Sequence, residues 1–134
     1  MIFIDTGAFL ARYLARDAYH ELAMPLWKSL VGTAVYTSNH VISETLTLLA
    51  RRVSCQFAAE RAEAIYFSRE MEILHGSKED EIEAVRLFCK FGDQRVSFTD
   101  CVSFVLMKRH GLRTAFTFDR HFRAADFGVL GTSW

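Results

Sequence analysis

Five short, mainly apolar runs punctuate the chain at Met1–Ile4, Ala34–Thr37, Met71–Leu74, Arg113–Phe118 and Phe127–Leu130. None alternates strictly between apolar and polar residues, and the stretches between them carry helical periodicity. A strand with one wet face alternates, whereas a strand covered on both faces reads as a continuous apolar run. Parallel strands also need long crossovers, usually helices. The pattern therefore specifies an α/β fold: a single three-layer domain with a central parallel sheet flanked by helices. A chain of 134 residues suits one domain, so residues 1–134 are read as one unit. At this size about two-thirds of the unfolded surface is buried, enough for a core without covalent staples.

The helices expected between the strands are Ala8–Ala15, Tyr19–Leu30, a segment capped by Ser38 or Asn39 and ending at Arg52, and Cys55–Arg69. The last of these carries Phe57, Ala58, Ala62, Ile65 and Tyr66 on its inward face. Two more run from a Ser77 cap to Phe91 and from a Ser97 or Thr99 cap to His110. Pro25 predicts a kink or restart in the second helix. Gly92-Asp93 breaks one helix, and Gly111 ends another at its C′ position.

Composition narrows the function. A hydrophobic content of 51% excludes intrinsic disorder and points to a partner surface beyond the core, with Phe9, Tyr13, Leu14, Trp27, Phe57 and Phe67 as its expected members. A formal net charge of zero excludes a polycation that grips nucleic acid by bulk charge, while leaving room for a local basic patch. Cys55, Cys89 and Cys101 form no C-x-x-C pair, which argues against a disulfide framework or structural zinc. Each is expected to be a small buried residue in a reducing cytoplasm. The N-terminus lacks a basic region and carries Asp5, unlike a signal peptide. Apolar stretches such as Cys101–Met107 are too short to span a bilayer, so no membrane association is expected.

In an open parallel sheet, ligands bind outside the carboxyl ends of the strands. Asp5 closes the first strand and Asp119 the fourth. Asp100 opens the helix after Ser97, and Glu44 lies early in the helix after the second strand. Each acid has a plain alternative: a helix cap for Asp5, a capping box with Ser97 for Asp100, a turn for Asp119, an ion pair with Arg51 for Glu44. Convergence of all four on one edge favours a shared role. Clustered like charges are costly unless a cation joins them, and hard oxygen ligands suit Mg²⁺ or Mn²⁺.

These residues carry a resemblance. Ile2-Phe3-Ile4-Asp5-Thr6-Gly7-Ala8 resembles the opening of a PIN domain, and Thr37-Ser38-Asn39-His40-Val41-Ile42-Ser43-Glu44 its second block. Ser97-Phe98-Thr99-Asp100-Cys101 is similar to the third block. Ala115-Phe116-Thr117-Phe118-Asp119-Arg120-His121-Phe122 is similar to the fourth. The resemblance implies a Rossmann-like sheet and metal-dependent cleavage of nucleic acid, usually RNA. It places Asp5, Glu44, Asp100 and Asp119 in the acidic, metal-holding cluster, with Thr6, Ser38 and Thr117 as supporting hydroxyls. Small stand-alone members are often toxins of VapBC-type toxin–antitoxin pairs, dimerise, and are inhibited by a small antitoxin. The expected chemistry is in-line attack by a water on a cation-polarised phosphate, leaving a 5′-phosphate. Such chemistry needs no 2′-OH, so it does not by itself exclude DNA.

Candidate phosphate contacts in the groove are Arg51, Arg52, Arg109, His110, Arg113, Arg120 and Arg123. His40 shares a helix face with Glu44 and reads mainly as a surface or hydrogen-bonded histidine. The phenylalanines read as core rather than as base-stacking platforms. Two rival readings fall away. The stretch Phe3–Ala8 is also similar to the active-site turn of retroviral-type aspartic proteases, but those are nearly all-β chains with the turn well inside. A dehalogenase-type phosphatase wants D-x-D after the first strand, where Gly7 stands. A catalytically inactive module that binds only a partner or RNA is the main alternative, and retention of all four acids weighs against it.

Overall fold

The computed structural model describes residues 1–131. In chain order the elements are β1 (Ile2–Ile4), α1 (Thr6–Tyr13), α2 (His20–Ser29), β2 (Val35–Ser38), α3 (Asn39–Arg52), α4 (Cys55–Tyr66), β3 (Met71–Leu74), α5 (Lys78–Phe91), α6 (Phe98–Arg109), β4 (Thr114–Phe116), α7 (His121–Ala124) and β5 (Gly128–Leu130). A 3-10 turn, Gly92–Gln94, separates α5 from α6. The five strands form one parallel sheet in the order β3-β2-β1-β4-β5. Phe3 of β1 sits opposite Tyr36 of β2 and Ala115 of β4. From β1 the chain builds outward through β2 and β3, then returns to the other side of β1 for β4 and β5. That reversal opens a crevice outside the carboxyl ends of β1 and β4.

The inner strands are apolar because helices cover them. Phe3, Ile4, Ala115 and Phe116 are fully buried. Trp27 of α2 packs on Phe9 of α1 at 5.6 Å and on Phe116 at 5.2 Å between ring centroids. Its Nε1–H donates to the Ala8 carbonyl at 3.1 Å, so the indole is buried without an orphaned donor. A second aromatic group joins Phe104 of α6 to Phe122 and Phe127 at 4.9 and 5.7 Å. Truncating Phe104 to Ala would cost about 3–5 kcal/mol.

Serine caps set the helix starts that the sequence predicts. Ser38 Oγ accepts the Val41 amide and Ser54 Oγ the Phe57 amide. Ser77 and Ser97 each form a reciprocal box, with Asp80 and Asp100 respectively. A cap fixes a helix's first turn and hence the direction of the side chains that follow.

Several local expectations need correction. The first helix begins at Thr6 and ends at Tyr13, earlier than Ala8–Ala15 at both ends. The second runs unbroken through Pro25. Proline removes one hydrogen bond, to the Glu21 carbonyl, and both residues are exposed, so solvent can satisfy that carbonyl. The fourth helix stops at Tyr66 rather than Arg69, and Tyr66 is exposed instead of inward. The four-residue α7 was not anticipated. Cys101 is buried as expected, but Cys55 and Cys89 lie on outward helix faces. Phe9 and Trp27 belong to the core rather than to a partner surface. The exposed apolar side chains include Phe67 and an α5 stripe of Ile82, Val85 and Phe88. Among the described residues, no helix is long and apolar enough to cross a membrane.

Candidate metal centre

The crevice is built around Asp5, which follows β1 and precedes α1. It stands at the N-cap position, yet its side chain makes no capping hydrogen bond. Instead its Oδ2 accepts the Thr117 hydroxyl at 2.8 Å. Thr117 follows β4, the strand beside β1, so this bond ties the two strand ends across the crevice. The same hydroxyl oxygen accepts the Asp119 amide at 3.0 Å. Asp5 Oδ1 is buried with no hydrogen-bond partner among the described residues.

Asp100 sits in the first turn of α6. Its Oδ2 accepts the Ser97 amide at 3.2 Å while its own amide donates to Ser97 Oγ at 3.0 Å. The capping box offered as the plain alternative therefore exists, and it occupies only one carboxylate oxygen. Asp119 follows the same scheme. Its Oδ1 accepts the His121 amide at 2.8 Å and lies 2.7 Å from His121 Nδ1. Among the described residues, three aspartates thus each have one oxygen held by hydrogen bonds and one without such a bond. That is the donor set expected of carboxylates oriented by an outer shell towards a cation.

The electrostatics agree. Burial, followed by the charge of Asp100, pushes the Asp5 carboxyl up to about 8, although the hydrogen bond from Thr117 opposes the rise. Burial, followed by the charge of Asp119, pushes Asp100 up to about 6, with Glu44 adding a smaller push. Each acid therefore resists ionisation because it is dry and its neighbours are acids. A buried orphan oxygen beside carboxyls raised by burial and by neighbouring acids is a set of groups that could hold a divalent cation. Oxygen donors of this kind fit Mg²⁺ or Mn²⁺.

All four predicted acids line one cleft of about 420 Å³, together with Thr6, Arg52, Arg95, Tyr19 and Phe118. Glu44 lies one and a half turns into α3 and forms no ion pair with Arg51 among the described residues. Of the three hydroxyls, Thr117 touches an acid, Thr6 lines the cleft with no hydrogen-bond partner for its Oγ1 among the described residues, and Ser38 caps α3. Arg120 and Arg123 line a separate hollow together with His121. Arg51 is exposed in the last turn of α3.

Two of the predicted arginines are placed elsewhere. Arg109 pairs with the buried Asp80 of α5 at 2.6 Å. Arg113 precedes β4, at the opposite end of that strand from Asp119, and lines a hollow with Gly111 and Asp126. His110 is the C-cap of α6. His40 is bound to Glu81 at 2.9 Å, in line with its reading as a hydrogen-bonded histidine. Cys101, next to Asp100, has its thiol pushed up to about 11 by burial and then by that acid, so it stays protonated.

Sequence reasoning missed His121, Arg95 and Tyr19. One oxygen each of Asp100 and Asp119 and a ring nitrogen of His121 lie within 4.8 Å of one another. The signal for His121 was its place two residues after a strand-closing aspartate, where the turn folds it back. Arg95 is in the left-handed conformation, at φ 58° and ψ 29°, which no sequence motif announces.

Residues 2–128 match the model of the PIN domain. The chain is 39% identical over 127 residues to the 23S rRNA-specific endonuclease VapC20 of Mycobacterium tuberculosis (strain ATCC 25618 / H37Rv), covering 95% of both chains. It is 34% identical over 123 residues to ribonuclease VapC26 of the same organism, covering 90% of this chain and 89% of that one. Among solved structures, the Mycobacterium tuberculosis VapC20 crystal structure, described as a sarcin–ricin-loop-cleaving toxin, matches with a TM-score of 0.88 at 35% identity, covering 95% of this chain and 96% of that one. FitAcB from Neisseria gonorrhoeae shares the fold, with a TM-score of 0.70 at 22% identity over 97% of this chain and 96% of that one.

Proposed function

The chain belongs to the PIN domain family, and from that premise we propose that it is a metal-dependent endoribonuclease, the toxin of a VapBC-type toxin–antitoxin pair. The observation that carries the reading is the set of three aspartates, each with one oxygen tied and one left for a cation. Asp5, Asp100 and Asp119 would hold Mg²⁺ or Mn²⁺, with Glu44 completing the acidic rim. When bound, a divalent cation offsets phosphate charge and eases deprotonation of the attacking water.

The remaining work falls to the chain. Thr117, Ser97 and His121 keep the carboxylates oriented so that little reorganisation is needed when the site fills. Asp5 and Asp100 give up their protons on loading, which couples cation affinity to pH. Arg52 and Arg95 line the same cleft and hold backbone phosphates. In-line attack by water breaks the P–O3′ bond and leaves a 5′-phosphate.

The substrate class is ribosomal RNA, supported by the 39% identity to an enzyme named for 23S rRNA. The inhibitory partner is a small cognate antitoxin, supported by the VapC relatives. A homodimer of about 31 kDa, twice the 15.4 kDa chain, is supported by the exposed Ile82, Val85 and Phe88 of α5. Incubation of ribosomal RNA with the protein in Mn²⁺, Mg²⁺ or EDTA tests the activity. Discrete 5′-phosphorylated fragments that disappear in EDTA are expected. Undiminished cleavage in EDTA, with an Asp119→Asn preparation silent as the contamination control, would overturn the reading.

A further inference from the structure

The cleft has an aromatic wall that neither the acids nor the fold require. Tyr19 and Phe118 stack with centroids 4.4 Å apart and planes 9° from parallel. Both line the acidic cleft. Phe118 is the residue between Thr117 and Asp119, so its ring is fixed by the turn that carries two members of the site. It also packs edge-on against Phe116 of the core, 5.9 Å away, which anchors the inner layer of the stack. Tyr19 is the outer layer. It remains 39% exposed, although most aromatic residues of the chain are buried or packed against the core.

Tyr19 is not placed by chance packing. Its amide donates to Asp17 Oδ1 at 2.9 Å, and Tyr19 occupies the N-cap position of α2. The backbone of Tyr19 is thus held at a helix start, and its ring stacks on Phe118 while the residue stays partly exposed. A flat, exposed aromatic face beside a phosphate-cleaving centre is what an unstacked base uses when it leaves an RNA helix.

We propose that the exposed face of the Tyr19–Phe118 stack receives the base of a nucleotide bordering the scissile phosphate, and so selects RNA whose bases are already unpaired or readily flipped out. The inference rests on the RNA-cleaving reading. It predicts that loops and single strands are cut in preference to duplexes: a paired base cannot reach Tyr19 without the loss of its own stacking. Stacking tolerates any base, so this wall provides selectivity for structure rather than for sequence.

The test uses a fluorescein-labelled oligoadenylate octamer and an abasic octamer with the same phosphates, bound to the intact protein in EDTA and followed by anisotropy. Wild type should prefer the base-bearing octamer by about 5- to 100-fold. In Tyr19→Ala the two octamers should bind alike, at the affinity wild type shows for the abasic one. Tyr19→Trp should keep the preference. The salt dependence should be unchanged in both variants, because the phosphate contacts remain. An undiminished preference in Tyr19→Ala, with its melting temperature intact, would overturn the stacking role and leave the nuclease reading standing. Equal binding of the two octamers by wild type would likewise overturn the stacking role and leave the nuclease reading standing.

Discussion

The Thr117 hydroxyl donates to Asp5 Oδ2 at 2.8 Å, joining the ends of β4 and β1 where the sheet reverses. Removing that hydroxyl leaves a buried carboxylate oxygen unpaired, which costs about 1–3 kcal/mol. It also removes an interaction that favours ionised Asp5. Thr117→Val should therefore weaken Mn²⁺ binding roughly 10- to 100-fold, measured by calorimetric titration. Thr117→Ser should recover most of the loss.

Relief of repulsion provides a second expectation. Asp5→Asn and Asp100→Asn keep an amide oxygen to accept the Thr117 hydroxyl or the Ser97 amide and, at a pH above about 8 where both acids are ionised, each deletes one charge from the cluster. Both should abolish cleavage. Both should also melt above wild type in EDTA at pH 8.5, by roughly 3–5 °C for about 1 kcal/mol of relief.

The pH dependence has a definite sign. Asp5 and Asp100 are raised to about 8 and about 6. Above the ordinary carboxylate range the folded state therefore holds protons that the unfolded chain has lost. Stability then falls as pH rises from about 4 through 6 and on to 8. Melting temperature in EDTA should decline between pH 5 and pH 8.5, with the decline much reduced in Asp5→Asn. Cation affinity should run the other way and rise with pH, since loading releases protons.

The arginines divide by position. Arg52→Ala and Arg95→Ala should each lower the slope of log affinity for RNA against log salt by about 1. Arg95→Gly should do the same while easing the left-handed backbone. Arg109→Ala should leave RNA binding unchanged and lower the melting temperature, because Asp80, only 2% exposed, would lose its ion pair.

The sequence made the acids readable because each sits at a punctuation point. Asp5 and Asp119 end apolar runs, and Asp100 lies three residues after its cap. The sheet was readable because strands buried on both faces leave continuous apolar runs. What was hidden depends on backbone conformation or on distant contacts. Arg95 reaches the cleft through a left-handed turn, and Tyr19 meets Phe118 across 99 positions of chain. The helix α7 spans only His121–Ala124, too short for periodicity to register. Arg109 and Arg113 were basic and near element ends, but charge alone did not reveal that one serves Asp80 and the other lies at the far end of β4.

The central claim is that Asp5, Asp100 and Asp119 act together as one cation site. The most direct test is a set of melting curves for wild type, Asp5→Asn and Asp100→Asn, each in EDTA and in excess Mn²⁺. Only a species that binds the folded state raises its stability. Mn²⁺ should raise the melting temperature of wild type markedly and that of either variant little or not at all. Equal responses in all three would contradict a shared site.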